Sequence, residues 1–180
     1  MKRRSFLKSA ASAFPIALAQ PFAFATQPSD AASKEAGVVP AGQDRLGETH
    51  TGFGGLQFKV STQETGGNLF VVEHNNMKFG GPPLHLHFEQ EEWFYVMEGE
   101  VLFQVGEKRV LLKPGDSILG PRKVPHAFCP TGATPGRMLI AFTPAGQMER
   151  FFRDATTPLQ NAAYYRSHGM ELLGPPIKAT

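Results

Sequence analysis

The sequence predicts an all-β domain, a sandwich or closed barrel, followed by short helices. Three observations carry this. Short aromatic and β-branched runs recur from Gly55 to Thr143 with Gly and Pro between them, the texture of strands and tight turns. The chain holds 15 Phe and 19 Gly, enough of both to build and punctuate such strands. No stretch before Pro144 carries a 3.6-residue apolar period, so helices are not expected there.

The elements follow in order. Leu56–Val60 and Leu69–Glu73 are apolar runs separated by Gly66-Gly67. Leu84–Phe88 and Trp93–Met97 come next, and Glu98-Gly99 turns the chain into Val101–Val105. Gly106-Glu107 turns again into Arg109–Leu112, and Pro114-Gly115-Asp116 is a strong turn signal. Ser117–Leu119, His126–Cys129 and Met138–Phe142 complete the series. Short strands at this spacing suit a sandwich or barrel. After Pro144, Gln147–Asp154 and Leu159–His168 read as two short helices. Gly169 is expected to stop the second, and Gly174-Pro175-Pro176 to end regular structure. The domain reading is a signal at 1–25, a linker or arm at 26–50, a barrel at 51–145 and a helical extension at 146–180.

The first 25 residues are set apart from the fold. Lys2, Arg3, Arg4 and Lys8 precede a mild apolar stretch, Ala10 to Ala19, and Ala23-Phe24-Ala25 is a small-x-small cleavage site. Arg3-Arg4-Ser5-Phe6-Leu7-Lys8 resembles a twin-arginine export signal, which implies a bacterial chain exported to the periplasm. The stretch is too short and weakly apolar to remain as a membrane anchor. Its removal leaves 14 basic against 16 acidic residues, a net −2 where the whole chain carries +2. With no basic stripe, nucleic acid is not an expected partner. The lone Cys129 cannot form an internal disulfide and reads as a buried, inert thiol, with a reactive thiol as the alternative.

The chemistry is concentrated in Gly80-Gly81-Pro82-Pro83-Leu84-His85-Leu86-His87. Residues two apart on a strand share a face, so His85 and His87 project together. Paired imidazoles suit a transition metal, but a solvated strand can carry the same spacing by chance. Glu92 stands five residues beyond His87, with a bend available over 88–91, and Glu89 and Glu91 are alternatives to it. His126 opens a strand after Pro121 and Pro125, where the chain can return it to the first pair.

These residues resemble the two motifs of the cupin superfamily. The first reads Gly80, His85, His87, Glu92, Gly99, with four residues between Gly80 and His85 where the family has five. The second reads Gly106, Pro114-Gly115-Asp116, His126, with Pro130 in place of a final Asn that is not a metal ligand in the family. Only Glu92 has six residues between it and Gly99, which favours it over Glu91. The resemblance covers Phe58 to Phe142, and the tail from Phe142 onward is similar to small one-domain, quercetin dioxygenase-like cupins.

The resemblance implies a double-stranded β-helix, or jelly-roll barrel, holding one divalent metal between His85, His87, Glu92 and His126. Fe, Mn, Ni, Cu and Zn all accept three imidazoles and a carboxylate. It also implies a small-molecule substrate, with dimers through strand exchange as a further possibility that residues 26–50 could serve. The expected activity is a metal-dependent dioxygenase on an aromatic or enol substrate, with Glu92 doubling as proton acceptor. A non-catalytic metal carrier or ligand sensor, an isomerase and a decarboxylase are the alternatives; no extra mobile acid for the last is identified. Phe94, Val96, Phe103, Ile118, Phe128, Met138, Ile140 and Phe142 are expected to face the interior, more as filling than as a cavity wall. His50, His74 and His168 read as surface or structural histidines, and Arg122 and Lys123 as loop charges that could meet an anionic substrate.

Overall fold

The computed structural model describes residues 37–48, 55–77, 80–155 and 161–179. Among them are ten strands and two helices: β1 Leu56–Val60, β2 Phe70–Met77, β3 Pro83–His87, β4 Glu91–Glu98, β5 Val101–Val105, β6 Lys108–Leu112, β7 Ser117–Gly120, β8 His126–Pro130, β9 Gly136–Thr143, α1 Met148–Asp154, α2 Ala162–Ser167 and β10 Met170–Pro176. They build two five-stranded antiparallel sheets, β1-β2-β9-β4-β7 and β10-β3-β8-β5-β6. This is a jelly-roll barrel, in agreement with the all-β expectation. The export segment and the cleavage site at Ala25 lie outside the described residues, as do His50 and residues 26–36 of the arm. No described helix is long and apolar enough to cross a membrane.

Period-two alternation decides which side chains enter the barrel. On β4, Glu92, Phe94 and Val96 are buried while Glu91, Trp93 and Tyr95 are not. On β9, Met138, Ile140 and Phe142 point in by the same rule. With Phe58, Phe70, Val72 and Phe103 they form one continuous core. Phe94 meets Phe103 at 4.9 Å and Phe128 at 5.7 Å, so aromatic rings fill the space between the sheets. Ile118 packs on this core from a half-buried position.

Strand β8 is buried on both faces. His126 and Phe128 face the interior, whereas Ala127 and Cys129 join Ile177, Leu84 and Leu102 on the outer side. Cys129 is thus a buried free thiol. Main chain also approaches closely here: a Cβ on Gly81 would fall 1.7 Å from Phe128 O. Glycine is required where the loop entering β3 presses on β8.

The C-terminal extension differs from its expected form in one respect. Met170–Pro176 continues as β10, pairing antiparallel with β3 in the register Met170↔His87 and Leu172↔His85. The sequence reading ended regular structure at Gly174-Pro175-Pro176. The two prolines are tolerated because β10 is an edge strand, with register shifts on both sides of Gly174, so their missing N–H groups break no second ladder. The helices lie where expected, although residues 156–160 are outside the described set. Phe152 packs at a tilt against Phe70 and Phe142, and Phe151 and Tyr165 are buried in the core. Asn161 caps α2 by accepting from Ala163 N and Tyr164 N.

Within the arm, residues 42–45 are tied to β1 of the same chain. Arg45 N donates to Phe58 O at 2.7 Å, Asp44 Oδ2 accepts from Phe58 N at 2.6 Å, and Arg45 pairs with Glu64.

Candidate metal centre

Three strands deliver the site. β3 carries His85 and His87 on its inner face, because that face takes alternate residues from Pro83 onward. β8 brings His126 opposite His85, the pairing that joins the two strands. β4 brings Glu92, whose register partner on β7 is Gly120. The choice among three glutamates is now plain. Glu92 is 4% exposed and inside, Glu89 is exposed, and Glu91 faces outward, where it accepts from Arg122 N and Arg122 Nε at 2.7 and 2.6 Å. Those two bonds hold Glu91 below the usual carboxylate range. They also engage Arg122, one of the two loop cations considered for an anionic substrate.

All four side chains are buried, and one ligand atom from each lies within 4.8 Å of the other three. Glu92 Oε2 is 2.8 Å from His126 Nε2, 3.0 Å from His87 Nε2 and 4.0 Å from His85 Nε2. Atoms bound to one ion through bonds of about 2.0–2.2 Å stand roughly 3–4 Å apart, so these separations fit a single shared cation.

The hydrogen bonds behind the cluster fix which nitrogens face it. His85 Nδ1 donates to Pro83 O at 2.8 Å, leaving the Nε2 lone pair free, and His126 Nδ1 donates to Val124 O at 2.9 Å. A carbonyl anchor on the far nitrogen is the usual way to orient a metal-binding imidazole. His87 has no such anchor: its Nδ1 is buried without a partner among the described residues.

The donor chemistry gives a sharper test of fit. Both nitrogens of His126 face oxygen acceptors, Val124 O and Glu92 Oε2. A neutral imidazole can donate to only one of them. Either His126 is an imidazolium, or a cation stands in for the second proton. In the metal-free chain the surroundings favour the proton. Burial pulls the His126 pKa down, but the bond to Glu92 and its charge outweigh this and raise it. Glu92 answers in kind: burial would raise its pKa, yet the bonds from His126 and His87 hold it well below the usual range. His85 is driven down to about 3 by burial and then by the neighbouring histidines. The cluster is therefore a buried carboxylate beside a neutral imidazole, and a divalent ion fits it.

Packing places the rings. A Cβ on Gly120 would lie 3.2 Å from His126 Nδ1, so the bare glycine leaves room for that imidazole. His87 and His126 are stacked 7° from parallel at 5.5 Å, and Phe142 flanks His87 at 5.7 Å. Tyr165 of α2 meets His85 edge-on at 5.6 Å. The sequence reading did not single out Tyr165. The adjacent pair Tyr164-Tyr165 was visible, but which ring turns inward depends on how α2 docks. His168 is structural, its Nδ1 donating to Tyr164 O at the end of α2. His74 lies on β2, away from the cluster.

Residues 77–142 match a family model described as "Cupin domain". An uncharacterized protein of Methanocaldococcus jannaschii, MJ1618, is 34% identical over 61 residues, covering 34% of this chain and 49% of that protein. The chain thus spans about half the length of the curated relative it matches. Among solved structures, an RmlC-like cupin from Shewanella frigidimarina is 25% identical, over 52% of this chain and 78% of that one, with a TM-score of 0.45. KdgF from Halomonas sp. is 18% identical over 49% and 76%, with a TM-score of 0.44.

Proposed function

The chain belongs to the cupin superfamily, and on that premise we propose that it is an exported metal-dependent dioxygenase acting on a small aromatic or enol substrate. The observation that carries the reading is the His85, His87, Glu92 and His126 cluster, buried within an aromatic interior. A bound divalent transition ion would supply a Lewis acid for a substrate oxygen and a redox partner for dioxygen.

The chain's own residues would do the rest. Pro83 O and Val124 O hold two imidazoles in the tautomer that turns Nε2 inward. Glu92 is the one carboxylate of the cluster, so with the imidazole nitrogens turned to the ion it is the group placed to take the proton of an incoming enol or phenol. Phe94 and Phe142 border His126 and His87 and exclude water from that transfer. Export to the periplasm is part of the proposal and rests on Arg3-Arg4-Ser5-Phe6-Leu7-Lys8.

Metal-replete protein should consume oxygen with at least one member of a panel of flavonols, catechols and diketones. No consumption across the panel, at full metal occupancy, would sink the enzymatic reading. A second reading, a metal carrier or ligand sensor, draws on a specific feature: Phe58, Phe70, Phe94, Phe103 and Phe142 are each at most 1% exposed, so they fill the barrel. It predicts full metal loading with no oxygen uptake.

A further inference from the structure

Two adjacent tyrosines on α2 have opposite fates. Tyr164 is half-buried, and its hydroxyl donates to Phe151 O at 2.6 Å. Tyr165 is 2% exposed, yet its hydroxyl makes no hydrogen bond among the described residues. The hydroxyl is not one of the side-chain atoms sealed from solvent without a partner, so a small group can reach it, and a phenylalanine would keep the ring while removing the donor.

The surroundings say what the hydroxyl is for. The Tyr165 ring lies edge-on to His85 at 5.6 Å and to Phe151 at 5.3 Å. It therefore stands beside the one imidazole whose Nε2 is beyond hydrogen-bond reach of Glu92, at 4.0 Å. A phenol is a neutral hydrogen-bond donor near neutral pH. Its backbone is well held: Asn161 caps the start of α2, His168 closes its end, and β10 then runs beside β3 with Met170 opposite His87.

We propose that Tyr165 is a ligand-binding residue whose hydroxyl donates a hydrogen bond to the oxygen of a small enolate or phenolate ligand seated on the His85 side of the metal centre. This rests on the metal reading above and extends it by naming the chain's own donor for the ligand oxygen. Tyr165 would thereby select ligands with a hydrogen-bond-accepting oxygen next to the metal over isosteres that lack one.

Two measurements on the full chain test it. The first is thermal melting without metal or ligand. Tyr165→Phe should melt at about the wild-type temperature, because the hydroxyl makes no bond among the described residues. Tyr164→Phe should melt lower by about 2–6 °C, because it removes a made bond. The second uses the cobalt(II)-loaded chain with 4-nitrocatechol as the probe, its absorption band reporting binding. Tyr165→Phe should keep one cobalt per chain and bind the probe about tenfold or more weakly, while Tyr164→Phe binds as the wild type does.

A fall in melting temperature for Tyr165→Phe as large as that for Tyr164→Phe would mean that the hydroxyl already has a partner, and would overturn the proposal. So would probe affinity within about twofold of wild type at full cobalt occupancy, or a loaded wild type that does not bind the probe. Those results leave the metal reading standing. A wild-type chain that takes up no cobalt overturns both together.

Discussion

His126 offers both ring nitrogens to oxygen acceptors, and Gly120 gives its ring the room to do so. Gly120→Ala would place a methyl 3.2 Å from the imidazole, forcing a shift of a few tenths of an ångström. Metal affinity should then fall about ten- to a hundredfold, the scale on which groups orienting a ligand act, with the fold retained. Calorimetric metal titration of the variant checks this; unchanged affinity would show that the ring tolerates displacement. The four ligand positions were legible in the sequence because their spacing is tied to turns: Glu92 was separated from Glu91 by its distance to Gly99. The carbonyl anchors at Pro83 and Val124 were not legible, since main-chain oxygens leave no residue signature. Neither was Tyr165, whose role depends on where α2 docks.

The strands of the barrel were readable because each is short, bounded by turn residues and alternating, and β4 shows why. Its inward Glu92, Phe94 and Val96 set the interior, while Glu91 and Trp93 point away from it. β10 escaped because Gly174-Pro175-Pro176 opposes strand structure locally, and only the free edge of β3 makes it acceptable. The outer face of the other sheet carries a cross-strand charge network of the same non-local kind. Glu73 on β2 is 5% exposed and pairs with Lys59 of β1 at 3.1 Å and Arg137 of β9 at 2.6 Å. Burial would raise the Glu73 pKa, but Arg137 and Lys59 lower it below its ordinary 4.5. A depressed folded-state value means the stabilisation is present above about pH 4.5 and is lost as pH falls through the folded value. Glu73→Gln should therefore cost about 1–3 kcal/mol near neutral pH. Thermal melts from pH 3 to 7 should show the two proteins converging at the acid end, and a difference independent of pH would contradict this role.

At the scale of the whole molecule, the centre joins both sheets: Glu92 comes from one, and His85, His87 and His126 from the other. Metal should therefore stabilise the barrel as a unit, by about 2.7 kcal/mol at a hundred times its dissociation constant. Protons compete for the same shell. His85, held at about 3, stays neutral, but His126 has its pKa raised and must lose a proton to bind metal. The metal-induced rise in melting temperature should shrink as pH falls through the His126 value, which melts with and without metal across that range will measure. A rise that grows on acidification would be the wrong sign. The central claim, one divalent ion held by His85, His87, Glu92 and His126, is tested most directly by elemental analysis of the purified full chain beside His85→Ala and His126→Ala. The account predicts one transition-metal ion per wild-type chain and loss of stoichiometric metal in each variant. Full occupancy retained by both variants would contradict it.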